Sequence, residues 1–172
     1  MKRWRRMWLI FPVGLVAASM VIFASNTPAQ MLPFQRNKVE SMDARQAFVE
    51  GYNAYQRHEW PATIERMQLA ASQVPDLIDY ALFFQGIAQR ESGDLPGAAV
   101  TLQRLTASYP QSILADPAAL DFAKIQLKLG RPDLAIIAAR TVADRTESTD
   151  LEQKARLVLA HAMNASGDFH GA

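Results

Sequence analysis

The sequence predicts an all-α protein made of stacked helix-turn-helix units, a solenoid. Gly93-Asp94-Leu95-Pro96-Gly97-Ala98 returns as Gly130-Arg131-Pro132-Asp133-Leu134-Ala135 and as Gly167-Asp168-Phe169-His170-Gly171-Ala172, behind a degenerate copy at His58-Glu59-Trp60-Pro61-Ala62-Thr63. The steps between copies are 35, 37 and 37 residues, the period of a two-helix repeat. Between the joints, apolar residues recur at helical spacing, while glycine and proline gather at the joints themselves.

The elements follow in order. Lys2, Arg3, Arg5 and Arg6 precede an apolar run over 7–24 that carries no charge, followed by Ser25-Asn26-Thr27-Pro28-Ala29-Gln30 with small residues at Thr27 and Ala29. That order predicts a signal peptide over 1–29, and a run of about 18 residues is also long enough for an uncleaved membrane anchor. Either outcome places the rest outside the cytoplasm, in the periplasm or an equivalent exported location, touching membrane only through its N-terminal segment. Residues 30–43, with Pro33 and mixed charge, read as a linker.

Helices are expected over 44–57, 60–73, 77–91, 95–108, 117–129, 132–144 and 151–166, with a further one starting at 169. Asp43 with Gln46, and Asp150 with Gln153, have the spacing of capping boxes. Pro61, Pro96 and Pro132 fall in the first turn of a second helix, where a missing N–H costs little. Pro75 and Pro110 stop that helix, and Gly93, Gly130 and Gly167 supply a left-handed residue at the end of the first. The units are 44–78, 79–115, 116–152 and a truncated 153–172, so the reading frame is expected to continue past Ala172. Small residues at the eighth place of a unit (Gly51, Gly86, Ala123, Ala160) and at the twentieth (Thr63, Ala98, Ala135, Ala172) leave little bulk where two helices cross, so their backbones approach closely.

Composition narrows the function. Hydrophobic residues make up 49% of the 172, enough for a core, although one spread thinly between neighbouring helices. Residues 30–172 carry 14 basic and 17 acidic side chains, a balance of −3, and no basic stripe for nucleic acid. The absence of cysteine removes thiol catalysis, thiolate metal sites and disulfides. His58, His161 and His170 lack the i, i+4 spacing of paired metal ligands, and neither a phosphate-binding glycine loop nor a nucleophile elbow occurs, so no metal, cofactor or catalytic residue is expected. Arg90-Glu91-Ser92 has the Glu-Ser order of a glycan-cleaving acid, but Glu91 falls one residue before a helix-ending Ser92-Gly93, where a solvated carboxylate is the expectation. Trp60, Phe83, Phe84, Phe122 and Phe169 are expected as packing residues.

Leu82, Gly86, Gly93, Ala98 and Pro110, counted from Asp79, occupy places 4, 8, 15, 20 and 32. In this the chain resembles the tetratricopeptide (TPR) repeats, and the resemblance implies a right-handed solenoid whose concave groove holds a protein or peptide. A narrower resemblance rests on Val74-Pro75-Asp76-Leu77-Ile78-Asp79-Tyr80-Ala81-Leu82, then Ser108-Tyr109-Pro110-Gln111-Ser112, then Leu129-Gly130. That order is similar to the N-terminal superhelix of periplasmic soluble lytic murein transglycosylases, which implies peptidoglycan as a partner and a catalytic domain further along the chain. A free-standing adaptor in envelope assembly is the alternative.

Carried over place by place, the TPR resemblance puts Arg45, Phe48, Tyr52, Tyr55 and Gln56 of the first unit in the groove, with Tyr80, Phe83, Ile87, Arg90 and Glu91 of the second. It adds Pro117, Leu120, Lys124, Leu127 and Lys128, then Lys154, Leu157, His161, Asn164 and Ala165. Arg90, Lys124, Lys128 and Lys154 would give that groove a mildly cationic lining. The carboxylate clamp of chaperone-binding relatives is not expected, because its places hold Phe48, Tyr52, Phe84, Pro117 and Asp121.

Overall fold

Strong helical periodicity and regularly spaced breakers produce helices with short joints. A computed structural model of the chain describes residues 33–167, with side chains from Asp43 onward. Among the described residues there are seven α-helices: α1 (Pro33–Gln56), α2 (Trp60–Gln73), α3 (Ile78–Glu91), α4 (Leu95–Ser108), α5 (Ala115–Lys128), α6 (Pro132–Arg145) and α7 (Thr149–Ser166), with a single 3₁₀ turn at Pro75–Leu77. No strand occurs among them, so the protein is all-α over this range. Each helix packs on its neighbours in sequence, and α1 also meets α3, as α5 meets α7. The segment over 7–24, Phe169, His170 and Ala172 lie outside the described residues, and no described helix is long and apolar enough to cross a membrane.

Three joints share one geometry. Gly93, Gly130 and Gly167 have φ of 92°, 70° and 78°. After α3, Gly93 N–H donates to Arg90 O and Asp94 N–H to Gln89 O; after α5, Gly130 N–H donates to Leu127 O and Arg131 N–H to Gln126 O. This is the paired-bond stop of a Schellman turn. The degenerate copy has it too: His58 N–H donates to Tyr55 O, Glu59 N–H to Ala54 O, and His58 sits at φ 60°. A residue with a Cβ therefore holds a conformation that elsewhere among the described residues is given to glycine.

The crossings are as close as the small residues suggest. A Cβ on Gly86 would lie 2.6 Å from Leu102 Cδ2, and one on Gly51 would lie 2.9 Å from Arg66 Cβ. Ala98 and Ala135 are fully buried. So is Thr63, which stands where the other units have alanine and turns its hydroxyl back to Glu59 O at 3.0 Å. Ala160 is exposed, whereas Ala162 is buried, so the fourth unit has no described crossing at its eighth place.

The core is a string of clusters between adjacent helices. Met67, Ala70 and Ala81 join α2 to α3; Leu82, Leu102, Leu105 and Ile125 join α3, α4 and α5; Ala123, Ala139, Val142, Val158 and Ala162 join α5, α6 and α7.

Two expectations about helix starts are overturned. The stretch read as a linker is helical from Pro33, so Asp43 lies inside α1 and caps nothing. The charged residues there suit a helix face as well as a linker, and Pro33 is tolerated because it stands in the first turn. At α7 the cap is Ser148, which accepts from Leu151 N–H at 3.4 Å. Asp150 is in the first turn and pairs with Lys154.

Candidate functional site

The odd-numbered helices carry the residues expected to line a groove. On α1 and α3 these are aromatic. Tyr52 and Tyr55 are stacked with centroids 6.3 Å apart, and both meet Phe84 edge-on, at 5.1 and 5.0 Å. Phe48 and Phe83 close on the same Phe84 ring at 6.4 and 5.8 Å. Trp60 packs on Tyr55 and on the His58 ring at the α1–α2 turn. The helical spacing of Phe48, Tyr52 and Tyr55 puts them on one face of α1, and apolar burial draws that face onto α3. Tyr52 remains 39% exposed, so the cluster packs the joint and still presents an aromatic edge.

On α3 and α5 the lining is ionic. Asp121 accepts from Arg90 at 2.9 Å and from Lys124 at 3.1 Å, while Arg90 also reaches Glu91 at 2.6 Å. Burial alone would lower the Arg90 pKa, but the adjacent Asp121 charge and the hydrogen bond that Arg90 donates to Glu91 outweigh it and hold the guanidinium above its ordinary value. Arg90 is thus a permanent cation whose charge is already matched. Arg45 pairs with Asp76 at 3.6 Å and Lys154 with Asp150 at 2.6 Å. Lys128 is exposed, with no ion pair among the described residues. A lining that reads as cationic in sequence is therefore largely neutralised in place, because carboxylates at other repeat positions come within reach on folding.

The structure joins Arg90 to Lys124 through Asp121, and Tyr52 to Phe84. Gln56, His161 and Asn164 are exposed on α1 and α7 and form no cluster with these. Ile87 and Leu120, expected in the groove, are 5% and 2% exposed and belong to the packing instead. Asp121 is the residue that the reading for a groove missed; its i, i+3 spacing to Lys124 was a visible signal, but its contact with Arg90 needs α3 against α5.

Glu91 is exposed and bound to Arg90 at the end of α3, the geometry of a solvated helix terminus. Among the described residues no group of three or more His, Asp or Glu side chains is placed to hold a metal ion. The two motif elements Asp79-Tyr80 and Tyr109-Pro110-Gln111-Ser112 meet in space. Ser112 Oγ donates to Asp79 Oδ2 at 2.6 Å, Tyr80 N–H donates to Asp79 Oδ1 at 2.9 Å, and Leu114 N–H donates to Ser112 Oγ at 3.1 Å. The motif thus fastens the start of α3 to the α4–α5 joint. One repeat later, the corresponding aspartate, Asp116, is held by Arg145 instead.

A search of protein-family models finds none that matches the chain, and no curated protein matches it.

Proposed function

We propose that the protein is an exported scaffold of the TPR-like solenoid class, whose odd-numbered helices form the concave side and hold a protein or peptide, or a peptidoglycan strand. One observation carries this reading. α3–α4 and α5–α6 repeat at an offset of 37 residues, from Ile78 to Ala115 and from Leu95 to Pro132, with the same left-handed glycine stop. Units so alike cover their apolar faces by stacking and leave a long lateral surface for a ligand. The aromatic edge at Tyr52 and the Arg90–Asp121–Lys124 chain suit a ligand with both apolar and hydrogen-bonding groups, such as a peptide stem.

The parent is a peptidoglycan lytic transglycosylase in this reading, with the present residues its non-catalytic start. The free-standing adaptor is favoured by a separate observation: the Asp79–Ser112 clasp gives the shared motif a packing role that any repeat joint could use.

Cosedimentation of the purified chain with isolated peptidoglycan sacculi tests the ligand. Retention that weakens in Tyr52→Ala supports it, and no retention overturns peptidoglycan binding. N-terminal sequencing of envelope-extracted protein should begin at Gln30; an intact Met1 in carbonate-washed membranes overturns cleavage and supports the anchor. Sequencing the natural frame beyond codon 172 separates transglycosylase from adaptor by the presence or absence of a lysozyme-like domain.

A further inference from the structure

A polar pocket of about 240 Å³ lies between α2, α3 and α4. It is lined by Gln68, Ala71 and Ser72 from α2, Gln85 from α3 and Arg104 from α4. Gln85 is turned about 140° around α3 from Arg90, so this is a different surface from the one described above.

Gln85 departs from its counterparts in the other units. At this seventh place the first unit has Glu50, paired with Arg66 at 3.4 Å, while the third and fourth have Phe122 and Leu159, which pack against the core. In the second unit the place of Arg66 falls to Thr101, whose hydroxyl is already given to Gln89. Gln85 is 8% exposed, and its amide makes no hydrogen bond among the described residues. The unpartnered atom sealed from solvent among those residues is Gln126 Oε1, so the Gln85 amide opens to the pocket that it borders. Buried polar groups are seldom left without a partner, and a place that breaks this rule where its counterparts pack with apolar side chains points to a ligand.

The rest of the lining specifies that ligand. Arg104 has no ion pair among the described residues and no acidic residue borders the pocket, so one positive charge is unmatched. Gln68 also makes no hydrogen bond among them, and each of the two amides offers both a donor and an acceptor. The Ser72 hydroxyl donates to Leu69 O at 2.7 Å, which leaves its oxygen free to accept.

We propose that this pocket binds an N-acylamino acid unit, a carboxylate one carbon away from a secondary amide, either as a free small molecule or as the C-terminus of a peptide. The carboxylate meets Arg104, whose planar fork matches its two oxygens. The ligand N–H donates to the Gln85 carbonyl, and the acyl C=O accepts from a glutamine amide nitrogen. One unmatched cation favours a monoanion over a doubly charged phosphate. The pocket is smaller than the roughly 300–1,000 Å³ of sites that enclose a drug-sized ligand, which limits the occupant to about one residue.

The test titrates the whole ¹⁵N-labelled chain with N-acetyl-alanine and follows the side-chain amide signals of Gln68 and Gln85. Saturable shifts in the millimolar range are expected. Arg104→Gln and Gln85→Leu should each weaken binding about ten-fold. Leucine is the apolar choice of the fourth unit, so Gln85→Leu should keep or raise the melting temperature while it loses the ligand, which separates binding from folding. Arg140→Gln, which removes an exposed arginine from α6, should change nothing. N-acetyl-alanine methylamide, without the carboxylate, and acetate, without the amide, should each bind about ten-fold more weakly. Tighter binding of N-acetyl-trialanine supports the site with a chain terminus as its ligand, and equal binding supports it with a free acylamino acid. Absence of a saturable shift at Gln85, or binding that Gln85→Leu leaves intact, overturns the site. Acetate or inorganic phosphate binding as tightly as N-acetyl-alanine overturns the assigned ligand.

Discussion

Replacing Ala138 by threonine should stabilise the protein, and the reason lies in the comparison of two units. Gln89 and Gln126 occupy the same place in α3 and α5, 37 residues apart, and both are buried. Gln89 Oε1 receives the Thr101 hydroxyl at 2.7 Å, whereas Gln126 Oε1 has no donor among the described residues and Ala138 stands at the place of Thr101. A buried acceptor left without a donor costs about 1–3 kcal/mol. Threonine at 138 would remove that cost but is a poorer helix former than alanine by roughly 0.6 kcal/mol. The expected net gain is about 0.5–2 kcal/mol. A cavity of about 360 Å³ lined by Gln126 and Ala138 leaves room for the two added heavy atoms.

Urea unfolding followed by circular dichroism measures the change. Ala138→Val is the control, since it adds similar bulk without a hydroxyl and should fall below Ala138→Thr by about 1 kcal/mol. The reciprocal change, Thr101→Val, recreates the orphan in the earlier unit and should cost about 1–3 kcal/mol. If Ala138→Thr proved no more stable than Ala138→Val, and Thr101→Val cost nothing, the hydrogen-bond argument would be refuted.

His58→Gly should raise stability by roughly 0.5–1 kcal/mol, because the left-handed backbone penalty of a residue with a Cβ exceeds the added flexibility of glycine in the unfolded chain; a lower melting temperature would show that the His58 ring on Trp60 matters more. Gly86→Leu should cost about 1–3 kcal/mol or more by driving into Leu102, while Gly97→Leu disturbs chiefly the Asp94 cap of α4, worth roughly 1 kcal/mol. Equal chemical-denaturation midpoints for those two variants would contradict the crossing assigned to Gly86. The Glu59 carboxyl is held below its ordinary value, first by the hydrogen bond from Arg57, so its contribution is present at neutral pH and lost as pH falls through the lowered midpoint. Carboxyl-carbon NMR titration should show that midpoint moving upward in Arg57→Gln, and no movement would disprove the pairing.

Local chemistry made much of this architecture legible. The starts of α2, α4 and α6 follow from proline in the first turn, and three of the stops from glycine, because φ > 0 and a missing N–H restrict a backbone wherever they occur. The tight crossing at Gly86 was likewise written in the absence of a side chain. The same kind of evidence misjudged residues 33–43, where charge and a single proline fit a linker and a helix face equally well and only packing beyond the segment distinguishes them. It also missed the left-handed His58, since its geometry comes from the Schellman bonds around it and not from its own preference.

The candidate surface was legible only as a set of positions. The resemblance to TPR repeats, carried over place by place, put Arg90, Lys124 and Lys154 on one class of helix face. Their electrostatic character was decided by tertiary structure, since Asp121 reaches Arg90 only when α5 lies against α3. The same holds for the buried amides: Gln89 and Gln126 are identical in sequence and in repeat position, and what separates a satisfied carbonyl from an orphaned one is the residue at one place of the next helix, Thr101 or Ala138. Backbone conformation depends on a few neighbouring residues, whereas charge balance and hydrogen bonding depend on which distant side chains arrive within about 3 Å.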